Sequence, residues 1–288
     1  MKKFDVVIIG AGAGGMSAAI YAKRAGKSAV VLEKMFAGGQ MNTIENIGNF
    51  PSFENVSGFE LAQNMTKQVQ NLGVEIKNEE VVSCSLSGEQ KIVQTNKNEY
   101  KAKSVIIATG ARSKPLEKID ANKFLGRGLS YCATCDGKFF EGKTVAVVGT
   151  FDTAKDDVQY LSNLAEKVVF VTSSNNKKFT QSNVEEILSS KITNVLGEDK
   201  IEEIVVQNKK TGESKNIKTA ALFVVLGKSP DLGAFGDEIA LDKNGFIKTD
   251  EKMQTNLKGV FAVGDVRSGS LKQIVTACSD GAIAGTFA

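Results

Sequence analysis

Apolar positions at the start of the chain fall into two periods in turn. Asp5 to Ile9 is a short apolar run. A glycine-rich turn follows, then an alanine-rich segment of helical character through about Ala25, then a second apolar run from Ser28 to Leu32. The order predicts strand, helix, strand, one βαβ unit. A second helix is announced by Ser57 and Glu60, spaced as a capping box, with Leu61, Met65, Val69 and Leu72 on one face and Gly73 as its stop. Short alternating runs at Glu80 to Leu86 and Lys91 to Thr95 predict a β-meander that leads into a buried strand from Ser104 to Ala108.

At Lys143 the opening order returns. Thr144 to Val148 reads as a strand, Gly149 as the turn, and a helix follows with Val158, Leu161 and Leu164 on one face before a strand from Lys167 to Thr172. Gly149 thus stands where Gly10 stood, and recurrence of a whole nucleotide-binding half predicts an α/β protein of two Rossmann-like, three-layer domains. Pro115 and Pro230, after Gly110 and Gly227, mark where the chain crosses between them. The expected domains are therefore 1–112 with 243–288, and an inserted 113–242.

Composition narrows the chemistry. Of 288 residues, 42% are hydrophobic and 24% charged, the make-up of an ordinary globular protein. Apolar runs such as Ala221 to Leu226 fall far short of the ~20 residues that cross a bilayer, and Met1 to Phe4 leads straight into a strand, so neither a membrane span nor a signal peptide is expected. Thirty-six basic against thirty-three acidic side chains leave a net charge of +3, which gives no case for nucleic-acid binding. Histidine is absent, which excludes Ser-His-Asp and Cys-His catalysis and every His-ligated metal site. Without a secretory signal, Cys84, Cys132, Cys135 and Cys278 are expected in a cytoplasmic setting as catalytic or buried thiols.

Gly10-Ala11-Gly12-Ala13-Gly14-Gly15 follows a strand and opens a helix. Gly10 allows the turn, Gly12 lets the backbone approach a pyrophosphate, and Gly15 permits close helix packing. Glu33, ending the next strand, suits an unphosphorylated adenosine ribose, so FAD or NAD is expected and NADP is not. Cys132-Ala133-Thr134-Cys135-Asp136 is the sharpest chemical feature: two thiols three positions apart can close a reversible disulfide, and the adjacent carboxylate can shuttle a proton. The same spacing could be half a zinc site, but Cys84 and Cys278 stand singly in unrelated segments, and no metal is expected.

Further motifs separate FAD from NAD. The run from Thr255 to Gly264-Asp265 resembles the second flavoprotein fingerprint, in which the carboxylate contacts the ribitol chain, and Ala108-Thr109-Gly110 resembles the strand-end turn near the same cofactor. Together with Gly38-Gly39-Gln40, Asn49-Phe50-Pro51, the Cys-x-x-Cys-Asp run and Val275-Thr276-Ala277, these make the chain similar to low-molecular-weight thioredoxin reductases along nearly its whole length. The resemblance implies that Gly10, Gly12, Gly15, Glu33, Gly39, Gln40, Asn49, Ala108, Thr109, Gly110, Gly264, Asp265, Lys272, Gln273 and Ile274 contact FAD. It implies that Cys132 and Cys135 are the redox pair, with Cys135 taking electrons from reduced flavin. Asp136 becomes the acid-base group, thioredoxin the partner, and a homodimer the assembly. A helix expected from Gln273 to about Ala284 would aim its N-terminal amides at the flavin. The chain ends inside that segment, where the family commonly continues, and this is expected to leave a flavin edge exposed.

Two departures from the family pattern point to the electron source. Where relatives place a glycine-rich NADPH turn, this chain has Gly149-Thr150-Phe151-Asp152-Thr153-Ala154, so Phe151 is expected to block the pyrophosphate and Asp152 to repel it. The arginine-rich 2′-phosphate motif is replaced by Ser173-Ser174-Asn175-Asn176-Lys177-Lys178. The chain resembles the ferredoxin-dependent flavin thioredoxin reductases, a branch without the nucleotide motifs, and ferredoxin is the implied donor. A flavin dithiol oxidase, an NADPH-dependent enzyme with an altered site and a non-enzymatic redox sensor are the alternative readings.

Overall fold

The computed structural model describes residues 2–116, 119–235 and 237–288. It divides into two compact units, 1–112 with 229–288, and 113–228.

The first unit is built on a seven-stranded sheet. Its central strand, Lys2–Ile9, pairs in parallel with Ala29–Glu33 on one side and Glu99–Ile107 on the other. Val6, Val7, Ile8 and Ile9 are buried without alternation, as expected of a parallel strand covered on both faces. One face is covered by helices α1 (Ala13–Arg24), α2 (Gly58–Asn71) and the C-terminal helix Ile274–Phe287. Ser57 caps α2 by accepting the Glu60 N–H, and Leu61, Met65 and Val69 turn inward while Leu72 is only half-buried. The C-terminal helix lies so close to α1 that a Cβ at Gly281 would strike the Gly14 carbonyl, and one at Gly285 the Ala18 carbonyl. That approach explains two helices made of glycine and alanine, residues with little to pack but little to obstruct.

The sheet continues beyond Glu99–Ile107 through the antiparallel pair Lys91–Thr95 and Val81–Ser85. The strand expected from Ser104 begins earlier, at Glu99. Its first half, where charged Glu99, Lys101 and Lys103 alternate with Tyr100 and Ala102, pairs with Lys91–Thr95, and its second half pairs with Val260–Ala262. Phe235 and Ile239 are buried on the sheet's other face together with Val7, Ile9 and Ala262. The return crossing therefore lies at Lys228/Ser229 and not at 242/243: the segment after it is apolar and packs into the first unit's core.

The second unit holds a five-stranded sheet in the order Val184–Ile187, Lys167–Val171, Thr144–Gly149, Ala221–Val225, Leu129–Ser130, every pair parallel. A three-stranded antiparallel sheet, Ser190–Leu196, Glu203–Asn208 and Ser214–Lys218, completes it. Two further helices belong here: α3 (Ala133–Asp136), continued by a 3₁₀ turn over Gly137–Phe140, and α4 (Phe151–Ser162). Ala154, Val158 and Leu161 bury the inner face of α4 against the sheet. The C-terminal helix is accordingly α5. Among the described residues no helix is long and apolar enough to cross a membrane.

Candidate functional sites

The glycine turn of the first unit forms a cradle. Gly10 has φ +105°, and its missing side chain makes room for the Ala108 carbonyl, while any Cβ at Gly15 would strike the Gly10 carbonyl. Gly12 is different: a Cβ there meets nothing within 4 Å. The open space belongs to the turn itself, because Gly12 is the N-cap of α1 and contributes no capping side chain. The first amides of α1 therefore stay available to an anion, as in dinucleotide-binding turns. Across the gap, a Cβ at Gly39 would lie 3.4 Å from Gly12 Cα, which brings the second glycine turn to the first.

The other positions expected to contact the cofactor are held by hydrogen bonds and packing of their own. Glu33 accepts the Ala11 N–H at 2.8 Å and the Met35 N–H at 2.9 Å, so its carboxylate braces the turn and the loop after its own strand. Gln40 donates to the Ala111 carbonyl at 2.9 Å, beside Gly110 at φ +73°. Thr109 donates to the Asp231 carbonyl at 2.7 Å. Asn49 donates to the Gln273 side chain at 3.1 Å, joining two assigned positions far apart in sequence. Gln273 is the N-cap of α5, Ile274 its first residue, and Lys272 before it has φ 60° with its ammonium 3.9 Å from the Phe246 ring centroid. Gly264 packs against Ala277 of α5, and Asp265 follows it in a 3₁₀ turn, half-buried.

Residues outside the motifs secure that turn. Asp280, 4% exposed, accepts the Gly264 N–H at 3.0 Å and holds Arg267 through Nε at 2.6 Å and Nη2 at 2.9 Å. A buried carboxylate needs such a paired and hydrogen-bonded partner set. The open space over Gly12, the uncapped start of α1 and the second glycine turn opposite make a cradle that fits a pyrophosphate-containing cofactor.

In the second unit Cys132 and Cys135 form a disulfide across α3, Cα to Cα 5.3 Å. Both cysteines are half-buried. Ser130, itself buried, donates to Asp136 Oδ2 at 2.6 Å and accepts the Cys132 N–H at 3.0 Å, so one hydroxyl ties the carboxylate to the redox turn. Burial raises the Asp136 carboxyl above its ordinary value, and the Ser130 hydrogen bond only partly opposes this. A raised carboxyl pKa is what a proton donor beside a dithiol requires. Cys84 and Cys278 are free, and burial pushes their thiols up to about 12 and about 11.

The Gly149 turn of the second unit differs from the Gly10 turn in how the helix after it begins. Thr150 is the N-cap of α4 and accepts the Thr153 N–H at 3.3 Å, while Thr153 Oγ1 accepts the Thr150 N–H at 3.1 Å. The helix start is capped by its own side chains. Phe151 packs against Phe179 with tilted rings, centroids 5.2 Å apart, and Phe179 packs edge-on against buried Phe170 at 5.1 Å. Phe179 is held there by Glu186, whose carboxylate accepts the Lys178 and Phe179 N–H groups at 3.0 Å. Lys178 lies over the Phe151 ring, 5.9 Å from its centroid. Phe151 thus lies between Phe179 and Lys178 at the start of α4. Asp152 is exposed in the first turn of α4.

A family model described as pyridine nucleotide-disulphide oxidoreductase matches residues 4–281. A thioredoxin reductase of Treponema pallidum is 38% identical over 98% of this chain and 94% of its own length. The crystal structure of a thioredoxin reductase from Streptococcus pyogenes superposes with a TM-score of 0.92 at 37% identity, covering 99% of this chain and 96% of that one. A ferredoxin-flavin thioredoxin reductase from Clostridium acetobutylicum gives a TM-score of 0.55 at 31% identity with the same coverages.

Proposed function

The chain belongs to the pyridine nucleotide-disulphide oxidoreductase family and binds FAD, and from that premise we propose that it reduces thioredoxin through the Cys132/Cys135 pair with electrons supplied by reduced ferredoxin. The thioredoxin half is supported by the relatives of that name and by the disulfide placed beside an acid. The ferredoxin half rests chiefly on one observation: the second nucleotide turn is capped by Thr150 and Thr153 and carries the Phe151–Phe179 ring pair at its helix start. A pyrophosphate there would have to displace both. The ferredoxin-flavin relative supports the same reading.

FAD, when bound, takes electrons singly from a one-electron donor and delivers them as a pair. The cradle around Gly12, with Glu33, Asp265 and the start of α5, would hold and orient it. Cys132 and Cys135 receive the pair as their disulfide opens to two thiols. One thiolate then attacks the thioredoxin disulfide, forming a mixed disulfide, and the other thiol of the pair breaks it, so this chain's disulfide re-forms as thioredoxin leaves with two thiols. Asp136 supplies the proton for the departing sulfur, and Ser130 keeps it in place. With a plant-type ferredoxin near about −400 mV and thioredoxin near about −270 mV, the transfer of two electrons is downhill by roughly 6 kcal/mol without a nicotinamide. We place this chemistry in the cytoplasm, where thioredoxin-coupled thiols are kept reduced.

Anaerobic bleaching of the flavin by each donor in turn tests the electron source. The acid is tested separately. Asp136→Asn keeps a hydrogen-bond acceptor for Ser130 but cannot give up a carboxyl proton, and exchange with thioredoxin should slow by about 10²- to 10⁴-fold in stopped-flow measurements. Since the step uses the protonated form, the wild-type rate should fall as pH rises through the raised Asp136 value, and the variant should lose that dependence. Exchange at the wild-type rate would remove Asp136 from the chemistry.

A further inference from the structure

The turn that carries Gly264 and Asp265 leaves the sheet with a buried amide to satisfy. Val260–Ala262 pairs with Glu99–Ile107, and Val263 still donates to the Ile107 carbonyl at 2.9 Å. At Gly264, φ +71°, the chain turns away, and its N–H meets Asp280 Oδ2, in the middle of α5, at 3.0 Å. The same oxygen accepts Arg267 Nε at 2.6 Å, and Oδ1 accepts Nη2 at 2.9 Å. The third guanidinium nitrogen, Nη1, donates to the Ser268 carbonyl at 3.1 Å. A fork held this way fixes orientation as well as distance. From Arg267 to α5 the chain runs through two left-handed positions, Gly269 at φ +74° and Lys272 at φ 60°. The ion pair closes that connection on one side. Ser268 anchors it on the other, its N–H on the Ile247 carbonyl at 2.8 Å and its hydroxyl on Asp242 at 2.7 Å.

We propose that Asp280 and Arg267 are positioning residues for the flavin half of FAD, a clasp that sets the Gly264-Asp265 turn against the start of α5 while the Gly12 cradle holds the adenosine half by itself. This rests on the reading that Asp265 and Gln273 meet the ribitol and the flavin. The pair is not needed to seat the helix, since α5 already lies against α1 at Gly281 and Gly285. Nor is a buried ion pair a strong source of stability, because the cost of removing both charges from water offsets most of their attraction. What it supplies is one arrangement in place of several. Here that arrangement joins two segments assigned to the same end of the cofactor, Gly264-Asp265 before the connection and Gln273-Ile274 after it. The inference is independent of the electron donor, because it concerns how the flavin is held whatever reduces it.

The experiment titrates the full-length apoprotein with FAD and, separately, with ADP, which carries the ribose and pyrophosphate but no flavin. Asp280→Asn keeps an acceptor for the Gly264 N–H and strands the Arg267 charge. Its Kd for FAD should rise about tenfold or more, while its Kd for ADP stays within about twofold of wild type. The visible circular dichroism of the bound flavin, which reports how the ring is held, should change with it. Arg267→Lys keeps both charges and loses the fork, so it tests the clasp without a stranded charge, and it should weaken FAD by about threefold or more with ADP again unaffected. Unchanged FAD affinity in both variants would overturn the proposal, and so would a parallel loss of FAD and ADP, which would place the effect on the fold as a whole. Asp265→Ala separates the two ways of failing. If it loses FAD while Asp280→Asn and Arg267→Lys bind normally, the clasp is wrong and the site stands; if all three bind normally, the placement of the flavin half falls and the clasp with it.

Discussion

Serine at either Cys132 or Cys135 should abolish thioredoxin reduction and leave reduction of the flavin by its donor intact. In the proposed sequence of steps the disulfide passes electrons from the flavin to thioredoxin, and a single remaining thiol can form a mixed disulfide but has no partner to resolve it. Two assays on each variant separate the steps: thioredoxin-coupled turnover, expected to vanish, and anaerobic flavin bleaching, expected to persist. Cys84→Ser and Cys278→Ser should retain most turnover. Their thiols, pushed up by burial to about 12 and about 11, hold about one part in ten thousand or less as thiolate at neutral pH. Loss of turnover in either would show that a second thiol enters the reaction.

Gly12→Val should give a folded protein without flavin. The reasoning turns on where the new side chain goes. At Gly10 or Gly15 a Cβ would strike the chain's own carbonyls, so a substitution there damages the fold and says little about the ligand. At Gly12 it meets no protein atom within 4 Å and projects into the space that a pyrophosphate needs. Absorbance of the purified protein and titration of the apoprotein with FAD check this, with near-wild-type melting of the two apoproteins as the control. A yellow Gly12→Val protein would mean that the phosphates lie elsewhere.

The parts of this molecule that could be read from sequence are those whose partners lie close by in the chain. The first βαβ unit declares itself in a glycine turn flanked by two periodicities, α2 in a cap and a stripe, and the redox pair in one tetrapeptide. Other features depend on partners that only folding brings near. Ser130 binds Asp136 six residues on, but nothing in its neighbourhood marks it as different from other serines. Asp280 meets Gly264 and Arg267 across separate elements. The return crossing was displaced for a related reason: Leu232, Phe235 and Ile239 carry no period that says which core they join. The antiparallel strands from Ser190 to Lys218 alternate weakly, with charged residues on their open face, and gave no clear signal.

Phe151 stands out in the sequence and its partner does not. Phe179 lies beyond a polar loop, and its role appears only when Glu186 draws the backbone of that loop inward. This matters for engineering the site. Restoring glycine at Phe151 alone removes one ring but leaves the Thr150–Thr153 cap, Asp152 and Phe179, and supplies no arginine for a 2′-phosphate.

The electron source is tested most directly by anaerobic stopped-flow bleaching of the bound flavin, with chemically reduced ferredoxin, NADPH and NADH offered separately to the same protein. Ferredoxin should bleach it rapidly, at a rate that falls with added salt as screening weakens the attraction between an acidic donor and a protein of net charge +3. Neither nicotinamide should bleach it at a useful rate. Rapid bleaching by micromolar NADPH would contradict the account, since it would require a pyrophosphate to bind at a turn already capped by Thr150 and carrying Phe151 at its helix start.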